Sequence, residues 1–86
     1  MKLDRGSYLI LAIMQKCGAA DFIQALTINE IAEKERISKT NTIYKKVKHL
    51  QKAGYIKEGV KVGRAKSYYI TREGVMLLPE KENNYE

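Results

Sequence analysis

The sequence predicts a small α+β domain, mainly helical, in which a three-helix core is followed by a two-stranded hairpin and a short last helix. Apolar residues recur with helical spacing in three separate segments. Alternating apolar and polar residues follow, on both sides of a glycine-containing turn. The 86 residues are enough for one domain with one modest hydrophobic core. We assign residues 1–79 to this domain and residues 80–86 to a polar C-terminal tail.

The first predicted helix begins after Ser7, whose hydroxyl is a suitable N-terminal cap, and ends near Cys17, before Gly18. Its apolar residues cover more than one face, since Tyr8 and Leu11 lie beside the main apolar stripe. We therefore expect this helix to be buried on two sides. Its apolar run is too short to cross a bilayer, and the flanking residues do not fit a signal peptide, so we interpret it as part of the core.

A capping box marks the start of the second predicted helix, because Thr27 is followed three residues later by Glu30. This helix covers residues 28–35, and Ile37 belongs to the turn that follows it. Ser38 is the predicted cap of the third helix. Two helices joined by a turn of about three residues, the second helix being basic, form a helix-turn-helix pattern.

The third helix, residues 38–53, has one apolar and one polar face. At about 100° per residue, Ile43, Val47 and Leu50 point inward. The opposite face carries polar or positively charged side chains, namely Asn41, Lys45, Lys48 and Lys52. No acidic residue occupies the first turn, which is typical of a helix N-terminus that meets phosphate groups.

The segment after this helix predicts a β-hairpin. Residues 55–62 alternate, which places Ile56 and Val62 on one face together with Val60. A turn at 63–66 leads into a return strand that ends near residue 71.

The last predicted helix is short. Thr71 is its predicted cap, and Pro79 ends it. We expect the polar residues that follow to be frayed.

Positive charge is concentrated in the second half of the chain. Residues 38–72 contain ten lysine and arginine residues and one acidic residue, Glu58, whereas the rest of the chain contains six basic and nine acidic residues. This segregation predicts a basic surface that binds a polyanion, such as nucleic acid or an anionic membrane. A lysine-rich face that is simply solvated is the alternative that charge alone leaves open.

Few features suggest catalysis. The sequence has no paired acid–base constellation, nucleophile motif or phosphate-binding loop. One cysteine and one histidine do not supply a multi-ligand metal site. Cys17 is predicted to pack as a small hydrophobe, with a redox-sensing thiol as the alternative. We therefore expect neither an enzyme nor a bound cofactor or metal ion, and no small-molecule effector.

Three stretches of the chain resemble the winged helix-turn-helix transcriptional regulators of prokaryotes, including the MarR-like and PadR-like families. LTINEIAEKERIS (26–38) is similar to their strand, helix and turn, TNTIYKKVKHLQKAGYI (40–56) to their recognition helix, and SYYITREGVMLL (67–78) to the second wing strand and the closing helix. The resemblance implies a winged helix fold that binds duplex DNA sequence-specifically. The chain lacks the additional helices of the larger members, and Arg36 stands where glycine is frequent in these families.

The resemblance also implies which residues contact DNA. Helix 38–53 would enter the major groove, and the wing at 62–66 would lie on the minor groove or the backbone. The implied contact residues are Ser38, Lys39, Thr40, Asn41, Thr42, Tyr44, Lys45 and Lys48 from the helix, and Arg64 and Lys66 from the wing. Asn41 is suited to a bidentate pair with adenine, and the lysines are suited to phosphate.

We expect duplex DNA as the partner, a cytoplasmic location at the nucleoid, and no membrane association. One recognition helix reads only a few base pairs, so we also expect a homodimer, formed through Tyr8, Leu11 and their neighbours on the first helix. Two alternatives stay open. One is a winged helix that binds an acidic protein, and the other is an accessory factor in replication or recombination.

Overall fold

The computed structural model describes residues 3–78 and has the predicted α+β architecture. Within this range, helices and strands follow one another in the order α1 (Arg5–Lys16), β1 (Leu26–Thr27), α2 (Ile28–Glu35), α3 (Thr40–Lys52), β2 (Ile56–Glu58), β3 (Ser67–Ile70) and α4 (Arg72–Met76). The predicted helix end at Pro79 and the predicted tail at 80–86 lie outside the described residues.

Helices α1, α2 and α3 pack around one hydrophobic core, to which β2 and β3 also contribute. The predicted inward face of α3 is confirmed, since Ile43, Val47 and Leu50 are completely buried. They meet Leu11 and Met14 of α1, which are also completely buried. Burying an apolar side chain of this size contributes roughly 1.5–3 kcal/mol. The core therefore fixes the rotation of α3 and turns its polar face outward.

Helix α1 meets the core with a different face from the one that we expected. Leu11 is completely buried, whereas Tyr8 and Leu9 are 38% and 39% exposed. The expectation that Leu11 lies on the outer face is wrong, because a helix that is apolar on several sides does not reveal which stripe faces the core. The predicted packing of Cys17 is also wrong, since this residue follows the last turn of α1 and is exposed.

Two predicted helix caps are confirmed. Thr27 forms the capping box with Glu30, and the Thr71 hydroxyl caps α4. Helix α1 starts earlier than predicted, because the Asp4 carboxylate accepts a hydrogen bond from the Ser7 N–H at 2.8 Å. Ser7 is therefore a buried residue of the first turn and not the cap.

Strand β3 is the central strand of an antiparallel sheet, with β1 on one side and β2 on the other. Leu26 lies opposite Tyr68, and Ile56 lies opposite Ile70. Beyond these pairs, the chain between β2 and β3 is closed at its tip by a bridge between Val62 and its partner. This hairpin is the predicted wing, and the sheet fixes it beside α2 and α3.

Strand β2 is shorter than the predicted strand at 55–62. Gly59 follows it and lies so close to another loop that a Cβ atom there would meet the Phe22 carbonyl oxygen at 2.8 Å. The chain bends toward that loop, which interrupts the alternation. The prediction that Val62 lies on the same face as Ile56 is therefore wrong, since Ile56 is completely buried and Val62 is 52% exposed.

Candidate nucleic-acid interface

The outer face of α3 presents most of the predicted contact residues to solvent. The exposed ones are Lys39, Thr40, Asn41, Thr42, Tyr44 and Lys45. They point outward because the opposite side chains of α3 are completely buried. The first turn of α3 contains no acidic residue. This surface offers hydrogen-bonding groups together with positive charge, and base edges and phosphates require these two properties.

The turn before α3 is organised by the carboxylate of Glu35. It accepts hydrogen bonds from the Ile37 N–H at 2.9 Å, from the Ser38 N–H at 2.7 Å and from the Ser38 hydroxyl at 3.1 Å. The bond from the Ser38 backbone is the largest cause that lowers the pKa of Glu35. Arg36, which lies between Glu35 and Ile37, has a left-handed backbone conformation, with φ of 68°. The turn is thus fixed by hydrogen bonds within the chain.

The prediction that Ser38 caps α3 is wrong. Its hydroxyl donates to Glu35, and Lys39 occupies the N-cap position without a hydrogen bond from its side chain. The difference has a physical cause, because the Glu35 carboxylate accepts hydrogen bonds from both the N–H and the hydroxyl of Ser38 and so holds this residue in the turn, one position before the N-cap. Ser38 is half-buried, and its role as a DNA contact stays a prediction.

Lys48 lies between α3 and the sheet. Its Nζ is 5.8 Å from the centre of the Tyr44 ring and 6.0 Å from the centre of the Tyr68 ring. A cation at these distances is attracted by the faces of the rings. Lys48 is therefore half-buried and places its positive charge at the inner edge of the exposed surface.

The wing carries the other predicted contacts. Arg64 and Lys66 are both exposed. The Lys66 Nζ lies 3.3 Å from a carboxylate oxygen of Glu58, and this hydrogen bond raises the pKa of Lys66. Glu58 is the single acidic residue of segment 38–72. It pairs with Lys66, one of the two predicted wing cations.

A groove of about 360 Å³ joins α3 to the wing. Among the predicted contacts it brings together Tyr44 of α3 and both Arg64 and Lys66 of the wing. Its lining residues are Thr27, Ile28, Asn29, Tyr44, Arg64, Ala65, Lys66 and Tyr68. One predicted contact of α3 and both predicted wing contacts, far apart in the sequence, thus line the same groove.

Five of the eight residues that line this groove were not predicted as contacts, and Asn29 and Tyr68 are two of them. Asn29 is exposed in the first turn of α2, and Tyr68 reaches the groove from β3. Burial raises the pKa of the Tyr68 hydroxyl, which favours its neutral, hydrogen-bonding form. The capping box at Thr27 was a usable signal for Asn29, because the first turn of a helix has free backbone N–H groups. No local signal pointed to Tyr68, because Asn29 and Tyr44, which line the groove with it, are distant in the sequence.

Comparisons with known proteins give the same architecture. No protein-family model matches the chain. The chain is similar to the DNA-binding protein TubR of Clostridium botulinum C phage, at 26% identity over 78 residues, which are 91% of this chain and 95% of that protein. Among solved structures it is similar to TubR from Bacillus megaterium pBM400, with a TM-score of 0.78 and 21% identity, over 99% of this chain and 90% of that chain.

A larger regulator has the same architecture in part of its length. The chain is similar to the transcriptional regulator SlyA, with a TM-score of 0.72 and 25% identity, over 96% of this chain and 56% of that chain. The chain therefore has the winged helix-turn-helix fold. In this winged helix-turn-helix protein α2 and α3 form the helix-turn-helix, and β2 and β3 form the wing. It spans nearly the whole TubR chain but only about half of SlyA.

Two further features concern residues 3–78 as a whole. This part of the chain has no group of three histidine, cysteine or acidic side chains arranged around a possible metal ion. Its helices are also too short or too polar to cross a lipid bilayer.

Proposed function

We propose that this winged helix-turn-helix protein binds duplex DNA sequence-specifically and regulates transcription, in the cytoplasm at the nucleoid. The observation that carries the proposal is the groove in which Tyr44 meets the wing cations, on the same helix α3 whose first turn is exposed. Similarity to a DNA-binding TubR over nearly the full length of both chains supports it, as does similarity to the regulator SlyA. The segregated positive charge supplies attraction for a polyanion.

In this proposal α3 enters the major groove, which is about 12 Å wide and accepts an α-helix. Asn41, exposed in the first turn, pairs with an adenine edge, because a carboxamide donates and accepts a hydrogen bond at once. Thr40 and Thr42 contact neighbouring bases or phosphates, while Lys39 and Lys45 contact phosphates. The first turn supplies most of the specificity, and the lysines supply most of the affinity.

The groove between α3 and the wing accommodates one sugar–phosphate strand. Tyr44 lines it on the side of α3, and Arg64 lines it on the side of the wing. Lys66 exchanges its ion pair with Glu58 for a phosphate oxygen, which is also a charged acceptor. The wing then lies on the adjacent minor groove or backbone. The half-buried Ser38 and Lys48 contact the backbone at the edges of this surface.

Selection from a library of random duplexes tests the proposal. At about 0.1 M salt the wild-type protein is expected to enrich a recurring motif, because each good base contact discriminates by about 1–3 kcal/mol. Asn41→Ala is expected to relax the preference at one position of that motif. Enrichment without a motif would contradict sequence specificity. Failure to retain any duplex would contradict DNA binding and favour the alternative of a protein-interaction module.

We also propose a homodimer formed through α1. Tyr8 and Leu9 are partly exposed, and Ala12 and Ile13 beside them are half-buried, so these residues form an apolar strip on the outer face of the helix. An apolar strip at the surface of a small protein is typical of an association site. Two copies related by a two-fold axis would present two recognition helices to a palindromic site.

Leu9→Glu is expected to convert the dimer into a folded monomer, because it places a charge on the strip without disturbing a completely buried residue. Analytical ultracentrifugation measures the change in mass. Gln15→Glu, which adds the same charge at another exposed position of α1, is expected to stay dimeric. A monomeric wild type at high concentration, or a Leu9→Glu protein that stays folded and dimeric, would contradict the proposed interface.

A further inference from the structure

Ile37 is the most exposed large apolar side chain among residues 3–78, at 82%. It lies in the turn between α2 and α3, two residues before Lys39, which is the N-cap of α3. Two residues span at most about 7 Å, so Ile37 lies next to the first turn of α3 with its Thr40 and Asn41. A single exposed apolar side chain is common on protein surfaces. What distinguishes Ile37 is the turn that holds it and the charge around it.

The backbone of Ile37 is fixed from both sides. Its N–H donates to a carboxylate oxygen of Glu35 at 2.9 Å, and the N–H of Ser38 donates to the same oxygen at 2.7 Å. Arg36, on the other side, adopts a left-handed conformation that is unfavourable for residues other than glycine. The turn therefore holds Ile37 in one backbone conformation, with its side chain directed into solvent beside α3.

The charge around Ile37 distinguishes between possible partners. Lys34, Arg36 and Lys39 are exposed within three residues of it. The acidic residue in that span, Glu35, is half-buried with its carboxylate bound to N–H groups of the turn, and the exposed Glu33 is four residues away. A second copy that docked its own Ile37 here would bring two sets of cations together, which is unfavourable. A duplex would instead bring phosphates to these cations. The major groove of a duplex also offers one apolar group at its base edges, the 5-methyl group of thymine.

We propose that Ile37 is a further base-reading residue, which packs against the 5-methyl group of a thymine in the major groove. This inference rests on the proposed DNA-binding function. Asn41 and the first-turn hydroxyls recognise hydrogen-bonding groups, whereas Ile37 recognises a group that forms no hydrogen bond. The protein therefore prefers a T·A pair at one position over a C·G pair, whose cytosine lacks the methyl group.

Replacement of thymine by deoxyuridine tests this inference, because it removes the 5-methyl group and changes nothing else. In a duplex obtained by the selection above, each thymine is replaced in turn, and the Kd of the wild type and of Ile37→Ala is measured. Burial of one methyl group corresponds to about a fourfold change in affinity. The wild type is expected to bind about fourfold more weakly when the thymine at one position is replaced by deoxyuridine. Ile37→Ala is expected to bind the thymine duplex at least about fourfold more weakly, with no further loss on the deoxyuridine duplex.

Two variants serve as controls. Ile37→Val keeps a branched apolar side chain. Its affinity is expected to fall, as that of the wild type does, when the thymine at that position is replaced by deoxyuridine. Ile23→Ala removes a side chain that is 72% exposed in a different loop, and it is expected to leave the loss unchanged.

The possible outcomes separate this inference from the proposed function. If the wild type binds the duplex but every deoxyuridine effect persists in Ile37→Ala, the inference is wrong and the proposed function stands. If the wild type binds no duplex, both are wrong. If Ile37→Ala instead changes the sedimentation of the protein and leaves the deoxyuridine effects intact, Ile37 belongs to a contact between copies, and the inference is overturned.

Discussion

At Arg36 the chain adopts a left-handed backbone conformation, the single such case for a non-glycine residue in the described range. The Arg36 N–H ends α2 by donating to the Ala32 carbonyl oxygen at 2.8 Å. A side chain in this conformation brings Cβ close to a carbonyl oxygen, which costs roughly 1–2 kcal/mol. Glycine has no Cβ and is the usual residue at such a helix end. The backbone at Arg36, beside the candidate interface, is therefore strained.

Arg36→Gly is expected to raise the free energy of unfolding by about 1 kcal/mol, because it removes the strain of the left-handed conformation. Urea denaturation at equilibrium measures this change. Lys34→Gly, at a regular position of the last turn of α2, is the matched control and is expected to lower the free energy of unfolding by about 1 kcal/mol. An Arg36→Gly protein that is no more stable than the wild type would show that the turn holds no such strain.

Glu35 makes the stability of the turn dependent on pH. The hydrogen bond from the Ser38 backbone, helped by that from Ile37, lowers the pKa of Glu35 from its ordinary value of 4.5. The unfolded chain therefore binds this proton more readily than the folded protein does. The stabilisation is complete above pH 4.5 and is lost as the pH falls through the lower pKa of the folded state.

Glu35→Gln removes this titration. The difference in unfolding free energy between the wild type and Glu35→Gln is expected to be largest near neutral pH and to shrink as the pH falls below 4.5. Denaturation in urea at a series of pH values measures it. Glu33→Gln, which removes the same charge from an exposed position of the same helix, is the control. A difference for Glu35→Gln that is independent of pH would contradict this role.

At the scale of the elements, α3 differs from its neighbours in how it begins. Helices α1, α2 and α4 are capped by the side chains of Asp4, Thr27 and Thr71, whereas Lys39 at the start of α3 forms no capping hydrogen bond. A side-chain cap is worth about 1 kcal/mol of stability. Asp or Ser in place of Lys39 would cap α3 better. Either residue would remove a positive charge from the helix end that faces DNA phosphates in the proposed complex. The start of α3 therefore favours binding over stability.

Lys39→Asn is expected to increase the free energy of unfolding by up to about 1 kcal/mol, because asparagine is a good cap. The same change is expected to weaken binding to all duplexes, since one phosphate contact is lost. It should also reduce the steepness of the slope of the logarithm of the association constant against the logarithm of salt concentration by about one. Thermal denaturation and DNA titration measure the two effects. Lys45→Gln removes a charge inside the helix and is expected to weaken binding without the gain in stability. A Lys39→Asn protein that binds DNA as well as the wild type would remove Lys39 from the interface.

Elements whose signals are local could be predicted from the sequence. The spacing of Ile43 and Val47 was enough to orient α3, because a helical face is defined within a few turns. The start of α1 was placed three residues late, since Asp4 and Ser7 are both good caps and the sequence does not rank them. The end of β2 could not be predicted, because it depends on the close approach of Gly59 to a distant loop.

In the candidate site, too, features with local signals could be predicted and features that depend on tertiary contacts could not. Charge segregation and the first turn of α3 predicted an interface, and the structure places Tyr44 and Arg64 around one groove. The participation of Tyr68 depends on the pairing of β3 with β1 and on the approach of Lys48 to the Tyr68 ring, and both are tertiary contacts. The exposure of Ile37 depends on the Glu35 hydrogen bonds, although the two residues are only two positions apart in the sequence.

At the scale of the whole molecule, few of the basic residues of segment 38–72 are used within the fold. Lys46 forms an ion pair with Asp4 at 3.1 Å, and Lys66 forms one with Glu58 at 3.3 Å. The first pair fastens the start of α1 to α3, and the second lies on the wing. Most of the remaining lysine and arginine side chains are exposed. These exposed cations are available to neutralise phosphates in the proposed complex.

The most direct test of DNA binding by this surface is the affinity for a labelled duplex, measured at several salt concentrations. If roughly six phosphates are neutralised, the logarithm of the association constant should fall with the logarithm of salt concentration at a slope of about −5. Lys45→Gln should reduce the steepness of that slope by about one. An affinity that does not change with salt, or the absence of binding at low salt, would contradict the proposed interface.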